Sequence, residues 1–304
     1  MSGMRYDVEA DWYLLDTCNY RCGYCFLNEA TLGKKLVTSA EPEIWRNAYD
    51  ATGLTWLLHL TGGEPSLYPD FVDLASALTE RHYLSLNSNM TGSSLRAFPE
   101  RIDPGRVSFI NAGLHLAERE RKRGEADFIR HVGMLRERGF PVFVSIVATP
   151  EALERGADAM ALLDPLGMPP VPKLLRGSYR GRQYPRDYSE IDRRRFRVLA
   201  RAAREFYAPL LARMPERPSI DPFYDDRHLY GIPDYRGRSC RAGQNFVSVS
   251  KDGEVHRCSK NTRLGNLLDG TLSLLSGPEA CNTSYCFYFC EKYAERGQPA
   301  HGIA

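Results

Sequence analysis

The chain has 304 residues, enough for one large domain and a small one with a substantial buried core. A formal net charge of only +2 makes no electrostatic case for a nucleic-acid partner. The N-terminus MSGMRYDVEADW lacks the apolar stretch of a signal peptide, and no apolar run approaches a membrane span, so a cytoplasmic protein with reduced thiols and no membrane contact is expected.

Strand-like and helix-like segments alternate along the first two thirds of the chain. DWYLLD (11–16) reads as a first strand. EPEIWRNAYDATG reads as a helix with Pro42 in its first turn and Gly53 as its stop. TWLLHLT (55–61) is a second strand, and PDFVDLASALTERH a helix with Phe71, Leu74, Ala75 and Leu78 on one face. Strands follow at YLSLN (83–87), RVSFIN (106–111), PVFVSIVA (141–148) and VPKLLRG (171–177), with a long charged helix ending at Gly139 and another helix reaching about Leu163. SEIDRRRFRVLARAAREFYAPLLARM makes a closing helix. The arginine runs RERKR and DRRRFR read as solvated helix faces. Six β–α pairs predict an α/β fold with a parallel sheet curled into a partial (β/α)6 barrel, its active site at the carboxyl ends of the strands. The proline-rich stretch MPERPSIDPF (214–223) is the expected boundary between a core over 8–215 and a small α+β unit over 216–304.

Chemistry concentrates in the eight cysteines. Cys18, Cys22 and Cys25, in DTCNYRCGYCF, fall in the loop after the first strand. Three thiolates on one short loop suit three irons of a 4Fe–4S cube, leaving the fourth iron for a substrate or cofactor. Zinc usually takes a fourth protein ligand; no histidine lies nearby, although a distant cysteine would close such a site. In a sheet covered on both faces, strands are expected to be nearly all apolar, so His59, Asn87, Asn111 and Ser145 stand out, each open to a reading as a satisfied buried polar group.

The C-x3-C-x2-C spacing, with Tyr24 before its last cysteine, and TGGEP (61–65) at the end of the second strand together resemble the radical S-adenosylmethionine superfamily. The resemblance covers roughly residues 8 to 215. It implies a 4Fe–4S cluster on Cys18, Cys22 and Cys25 and S-adenosylmethionine, cleaved by an electron from an external donor such as flavodoxin or ferredoxin. It further implies that Gly62, Gly63 and Glu64 face the methionine end of the cofactor, that Tyr24 lies by the adenine, and that Asn87 in LNSNM is near the cofactor. Ser145 and Arg176 resemble positions that meet its ribose or carboxylate, and His115 is a weaker candidate.

The other five cysteines are Cys240, Cys258, Cys281, Cys286 and Cys290. NFVSVSKDGEVHRC (245–258) reads as a β-hairpin turning at Lys251-Asp252-Gly253, which brings Cys240 and Cys258 near each other. The pattern C-x12-G-x4-C resembles the auxiliary-cluster units called SPASM and twitch, with too few cysteines for the full SPASM set. The resemblance implies a second 4Fe–4S cluster on Cys240, Cys258, Cys286 and Cys290, which leaves Cys281 as the spare. A spare thiol is either a small buried apolar residue or a hydrogen donor to a substrate radical. The compact size resembles twitch-type enzymes of the neomycin C epimerase and 2-deoxy-scyllo-inosamine dehydrogenase kind. This implies hydrogen abstraction from a small, sugar- or aminoglycoside-like substrate and, with Cys281 as donor, epimerisation. Dehydrogenation with the auxiliary cluster as electron acceptor, peptide modification, and a non-enzymatic zinc-binding module are the alternatives.

Overall fold

The computed structural model describes residues 4–27, 32, 40–213, 226–258, 262–284, 286 and 291–294. The boundary expected at 214–223 falls almost wholly outside them. The fold is mixed α/β around one large sheet. Its strands are β1 (Val8–Tyr13), β2 (Trp56–Thr61), β3 (Tyr83–Ser88), β4 (Val107–Gly113), β5 (Val142–Ala148) and β6 (Val171–Leu174), all parallel and side by side in chain order. Helices α1 (Pro42–Ala51), α2 (Phe71–Thr79), α3 (Phe98–Arg101), α4 (Leu116–Lys122), α5 (Glu125–Glu137), α6 (Pro150–Glu154), α7 (Gly156–Leu163) and α8 (Glu190–Leu211) follow these strands.

The strand period of two explains the layering. Ala10 and Trp12 point to the helical layer, where the Trp12 ring meets Trp45 edge-on at 4.7 Å and Tyr49 at 5.2 Å; Tyr49 in turn meets Trp56 at 5.4 Å. Phe71, Leu74, Ala75 and Leu78 are all buried, as their spacing predicts. α8 starts at a capping box in which the Ser189 hydroxyl accepts from Asp192 N and the Asp192 carboxylate accepts from Ser189 N.

Several expectations need correction. β1 runs from Val8 to Tyr13; it starts earlier than expected because Glu9, a charged residue in the apolar run, is fully buried inside a hydrogen-bonded network. The charged helix ending near Gly139 is two helices, α4 and α5, parted where Arg123 turns left-handed (φ 53°) ahead of Gly124. RERKR is not wholly solvated: Arg119 is 0% exposed, its guanidinium between the rings of Tyr20 and Phe128. β6 stops at Leu174, and an unexpected hairpin, β7 (Gly177–Tyr179) with β8 (Arg182–Tyr184), follows.

The largest difference is at the other edge. β9 (Ser239–Cys240) precedes β10 (Phe246–Val249), β11 (Glu254–His256) and β12 (Arg263–Asn266), and β13 (Glu279–Ala280) pairs back onto β9. β10 and β11 form the expected hairpin, but β10 also lies parallel to β1, with Glu9 opposite Phe246 and Trp12 opposite Val249. The sheet therefore has nine strands in the order β12-β11-β10-β1-β2-β3-β4-β5-β6. Among the described residues no helix is long and apolar enough to cross a membrane.

Candidate active site and the two groups of cysteines

β1 and β2 continue to pair beyond their ends, and this sets the first cysteine loop. Leu14 N donates to Thr61 O (3.0 Å), Gly63 N to Leu15 O (2.7 Å) and Glu64 N to Thr17 O (2.8 Å). TGGEP is thus stitched to the residues leading into Cys18. A β-carbon on Gly63 would sit 2.1 Å from Thr17 O, and one on Gly62, whose φ is +124°, 2.5 Å from Leu15 O. Glycine is required here by the approach of backbone to backbone.

Cys18, Cys22 and Cys25 lie together on this loop, each half-buried. Cys25 N donates to Cys22 O, and the Cys18 sulfur accepts from Tyr20 N and Asn89 Nδ2. Burial pushes the Cys18 thiol up to about 11 and Cys22 to about 12, and neighbouring thiols add to both shifts. Without metal the loop therefore holds neutral thiols; a bound cation would draw off their protons. The cradle, the N–H···S contacts and three grouped thiols fit an iron–sulfur cluster.

The Glu64 side chain does not face that loop. Its carboxylate is 1% exposed and accepts from Ser66 N (3.0 Å), Ser66 Oγ (2.5 Å), Ser88 Oγ (2.6 Å) and Asn89 N (2.6 Å). It ties the end of β2 to the end of β3, which gives this side chain a scaffolding role in the loop. Tyr24 stacks on His115, its hydroxyl 2.7 Å from His115 Nδ1, and the same nitrogen is 3.6 Å from the Cys22 sulfur. Burial, then the charge of Arg119, pulls His115 down to about 3, so the ring is neutral.

Strand register puts Asp11, His59, Ser85 and Phe109 in one row on the inner face, and Asn87, Asn111 and Phe143 in another. Ser145 and Lys173 share that face through β5 and β6. Asn111 Nδ2 donates to Asn87 Oδ1 at 3.0 Å, while Asn87 Nδ2 and Asn111 Oδ1 are buried with no partner. Such amides want a ligand or water. His59 is instead a satisfied core residue: Nδ1 accepts from Ser85 Oγ (2.6 Å) and Nε2 donates to Glu9 Oε2 (3.2 Å). Tyr6 Oη and Lys292 Nζ, both at 2.5 Å, complete the shell of Glu9. Sequence reasoning missed two residues of the inner face. Burial raises Asp11 to about 7, and burial with the charge of Arg176 lowers Lys173 to about 8. An Asp and a Lys on strands with otherwise apolar alternation were the available signal.

Arg176, expected near the cofactor, also reaches the second group of cysteines. Its Nη1 donates to Cys286 O at 2.7 Å, joining the end of β6 to the C-terminal cysteines. There, Cys240, Cys258, Cys281 and Cys286 line one small cavity with Ala242, Arg257 and Thr283. Cys281, expected as the spare thiol, lines this cavity too: β13 pairs with β9, and Cys281 N donates to Arg238 O at 2.8 Å, two residues before Cys240. Cys290 lies outside the described residues. Among those residues no three His, Cys, Asp or Glu side chains gather closely enough for a single metal ion. Four thiols around a cavity match the ligand count of a 4Fe–4S cube.

A family model for the Radical SAM superfamily matches residues 12–163. A PqqA peptide cyclase of Ruegeria pomeroyi is 33% identical over 92 residues, and the match spans 30% of this chain but only 23% of that relative. Among solved structures, native anSMEcpe with bound AdoMet has a TM-score of 0.54 at 17% identity, covering 87% of this chain and 79% of its own. Streptococcus suis SuiB bound to S-adenosylmethionine has a TM-score of 0.53 at 15% identity, covering 87% and 64%. These two likenesses establish the fold.

Proposed function

Since this chain belongs to the radical SAM superfamily, we propose that it is an enzyme that oxidises a C–H bond of a polar substrate held against the inner face of the sheet. Membership implies a 4Fe–4S cluster and S-adenosylmethionine. In this reading Cys18, Cys22 and Cys25 hold the cluster, the backbone at Gly62–Gly63 receives the methionine end of the cofactor, and Tyr24, held by His115, walls the adenine. Asn87, Asn111 and Ser145 offer hydrogen bonds to cofactor or substrate. Bound there, the cluster and cofactor supply a 5′-deoxyadenosyl radical as hydrogen acceptor, and a second cluster among Cys240, Cys258, Cys281 and Cys286 supplies an electron acceptor. The first cluster needs an external one-electron donor of the flavodoxin or ferredoxin type.

The observation that carries this reading is the cavity lined by four cysteines. It supports counting Cys281 among the ligands, and on that reading the thiol is not free to act as hydrogen donor in an epimerisation. With cluster and cofactor bound, a substrate would give up a hydrogen atom, then an electron, then a proton, and Asp11 is the base placed on the inner face to take that proton. The product is two hydrogens poorer. A small amino- or hydroxyl-bearing molecule suits the inner face, where Asp11 and Lys173 present opposite charges when ionised. A peptide is the second substrate reading, carried by the similarity to PqqA peptide cyclase.

The test is anaerobic reconstitution followed by turnover of candidate aminoglycosides and peptides in deuterated water. Wild type is expected to hold about eight irons, two cubes of four, and Cys281→Ser about four. The product is expected to be two mass units lighter with no solvent deuterium at the reacting carbon. A product of inverted configuration carrying one solvent deuterium would restore epimerisation and refute the oxidation.

A further inference from the structure

The geometry points to Arg257 as the positioning residue of the second cysteine site: it shapes the four-thiol cavity and holds a fixed positive charge beside whatever the thiols bind. The inference rests on the auxiliary-cluster reading above. Arg257 directly precedes Cys258, lines the cavity and is 4% exposed. Its Nε donates to Ala242 O at 2.9 Å, Nη1 to Ala280 O at 3.0 Å, and Nη2 to Glu279 O at 2.7 Å and Cys240 O at 3.4 Å. One guanidinium thus gathers carbonyls from the segment that carries Cys240 and from the segment that ends one residue before Cys281. Its own backbone N donates to Thr262 O at 2.8 Å, fixing the turn that carries Cys258.

Ordinary structural glue explains carbonyl bonding alone. The charge is what sets this site apart. Carbonyls satisfy the donors without cancelling the positive charge, and among the described residues the carboxylate paired with it, Glu279 Oε2 at 3.3 Å, belongs to a half-exposed side chain screened by water. A buried cation stabilises the more negative, reduced state of a neighbouring redox centre. Lysine cannot reproduce the arrangement: an ammonium is a point donor, and the planar fork reaches several carbonyls at once.

The test uses the full chain, reconstituted anaerobically, with three readouts: iron per chain, the rate of iron loss to a chelator, and the midpoint potential of the auxiliary cluster from an EPR-monitored titration. Wild type with about four irons would sink the auxiliary-cluster reading itself, whatever Arg257 does. With about eight irons in wild type, Arg257→Gln is expected to lose auxiliary iron faster. In the fraction still loaded, the reduced state is expected to be disfavoured at least tenfold, a fall of about 59 mV for one electron. Arg257→Lys keeps the charge and is expected to keep the potential while losing iron faster. If Arg257→Gln does not fold, the lysine variant decides: a wild-type chelation rate overturns the proposal. If both variants fold, load fully and titrate like wild type, it is overturned as well.

Discussion

Gly63→Ala tests the most demanding contact of the first cysteine loop. The added methyl would sit 2.1 Å from Thr17 O, 2.4 Å from Thr17 C and 3.0 Å from Asp16 C, all backbone atoms that cannot rotate away. Ordinary contact needs well over 3 Å, so the two segments must part by about 1 Å. The hydrogen bonds flanking the clash, Gly63 N to Leu15 O and Glu64 N to Thr17 O, are lost at that separation. At about 1 kcal/mol each, with about 1–3 kcal/mol for the overpacking itself, the total is roughly 3–5 kcal/mol. Cys18 follows Thr17 directly, so the same movement carries a ligand out of place. Gly23→Ala is the control: it lies between Cys22 and Cys25, and a β-carbon there meets nothing within 4 Å. Urea unfolding of the metal-free protein under reducing conditions, and iron content after reconstitution, are the assays. Gly63→Ala is expected to lose most of its stability and the four irons of the first cluster, and Gly23→Ala to resemble wild type. Equal stability and equal iron in the two variants would refute the close-approach argument.

Asp11→Asn gives a pH-dependent result. The folded protein raises Asp11 from 3.8 to about 7, so its ionisation opposes folding: the stability present below about pH 4 is lost as pH rises through about 7. Three units at 1.36 kcal/mol set a ceiling of about 4 kcal/mol, and partial access to solvent on the inner face reduces this to roughly 2. The variant is expected to be more stable than wild type at pH 8 and equal to it at pH 4, by urea midpoints. Glu64→Gln replaces an oxygen that only accepts with an amide that must donate into Ser66, Ser88 and Asn89, at about 2–3 kcal/mol. Its thermal midpoint is expected to fall by several degrees, and an unchanged midpoint would remove the scaffolding role.

The parallel core was legible because its signals are local. Alternating apolar residues, Pro42 opening a helix, and the alignment of Phe71, Leu74, Ala75 and Leu78 are all set within one element. The first cysteine group was legible for the same reason, its three thiols lying on one loop. What escaped depends on partners far apart in the chain. Glu9 reads as a solvent-facing residue until His59 and Lys292 are brought to it. That Cys281 shares a cavity with Cys240, Cys258 and Cys286 depends on the pairing of β13 with β9, which spacing does not report. Glu64 occupies a suggestive position, but its carboxylate is already engaged with Ser66, Ser88 and Asn89, and Arg176 gives Nη1 to Cys286 O. Spacing reports which groups a segment carries and is silent on what else competes for them.

The parallel pairing of β10 with β1 has a consequence for synthesis. More than 200 residues separate the two strands. At about 5–20 residues per second, translation leaves the β10-facing edge of β1 unpartnered for roughly 10–50 s after β1 is made. An open edge of VEADWY is a template for pairing with a neighbouring nascent chain. Glu9 and Asp11 blunt that edge with charge during the interval, before β10 pairs with β1 and Lys292 reaches the buried Glu9. Asp11, whose ionisation opposes folding once the sheet is closed, thus helps protect the chain while it is still attached to the ribosome.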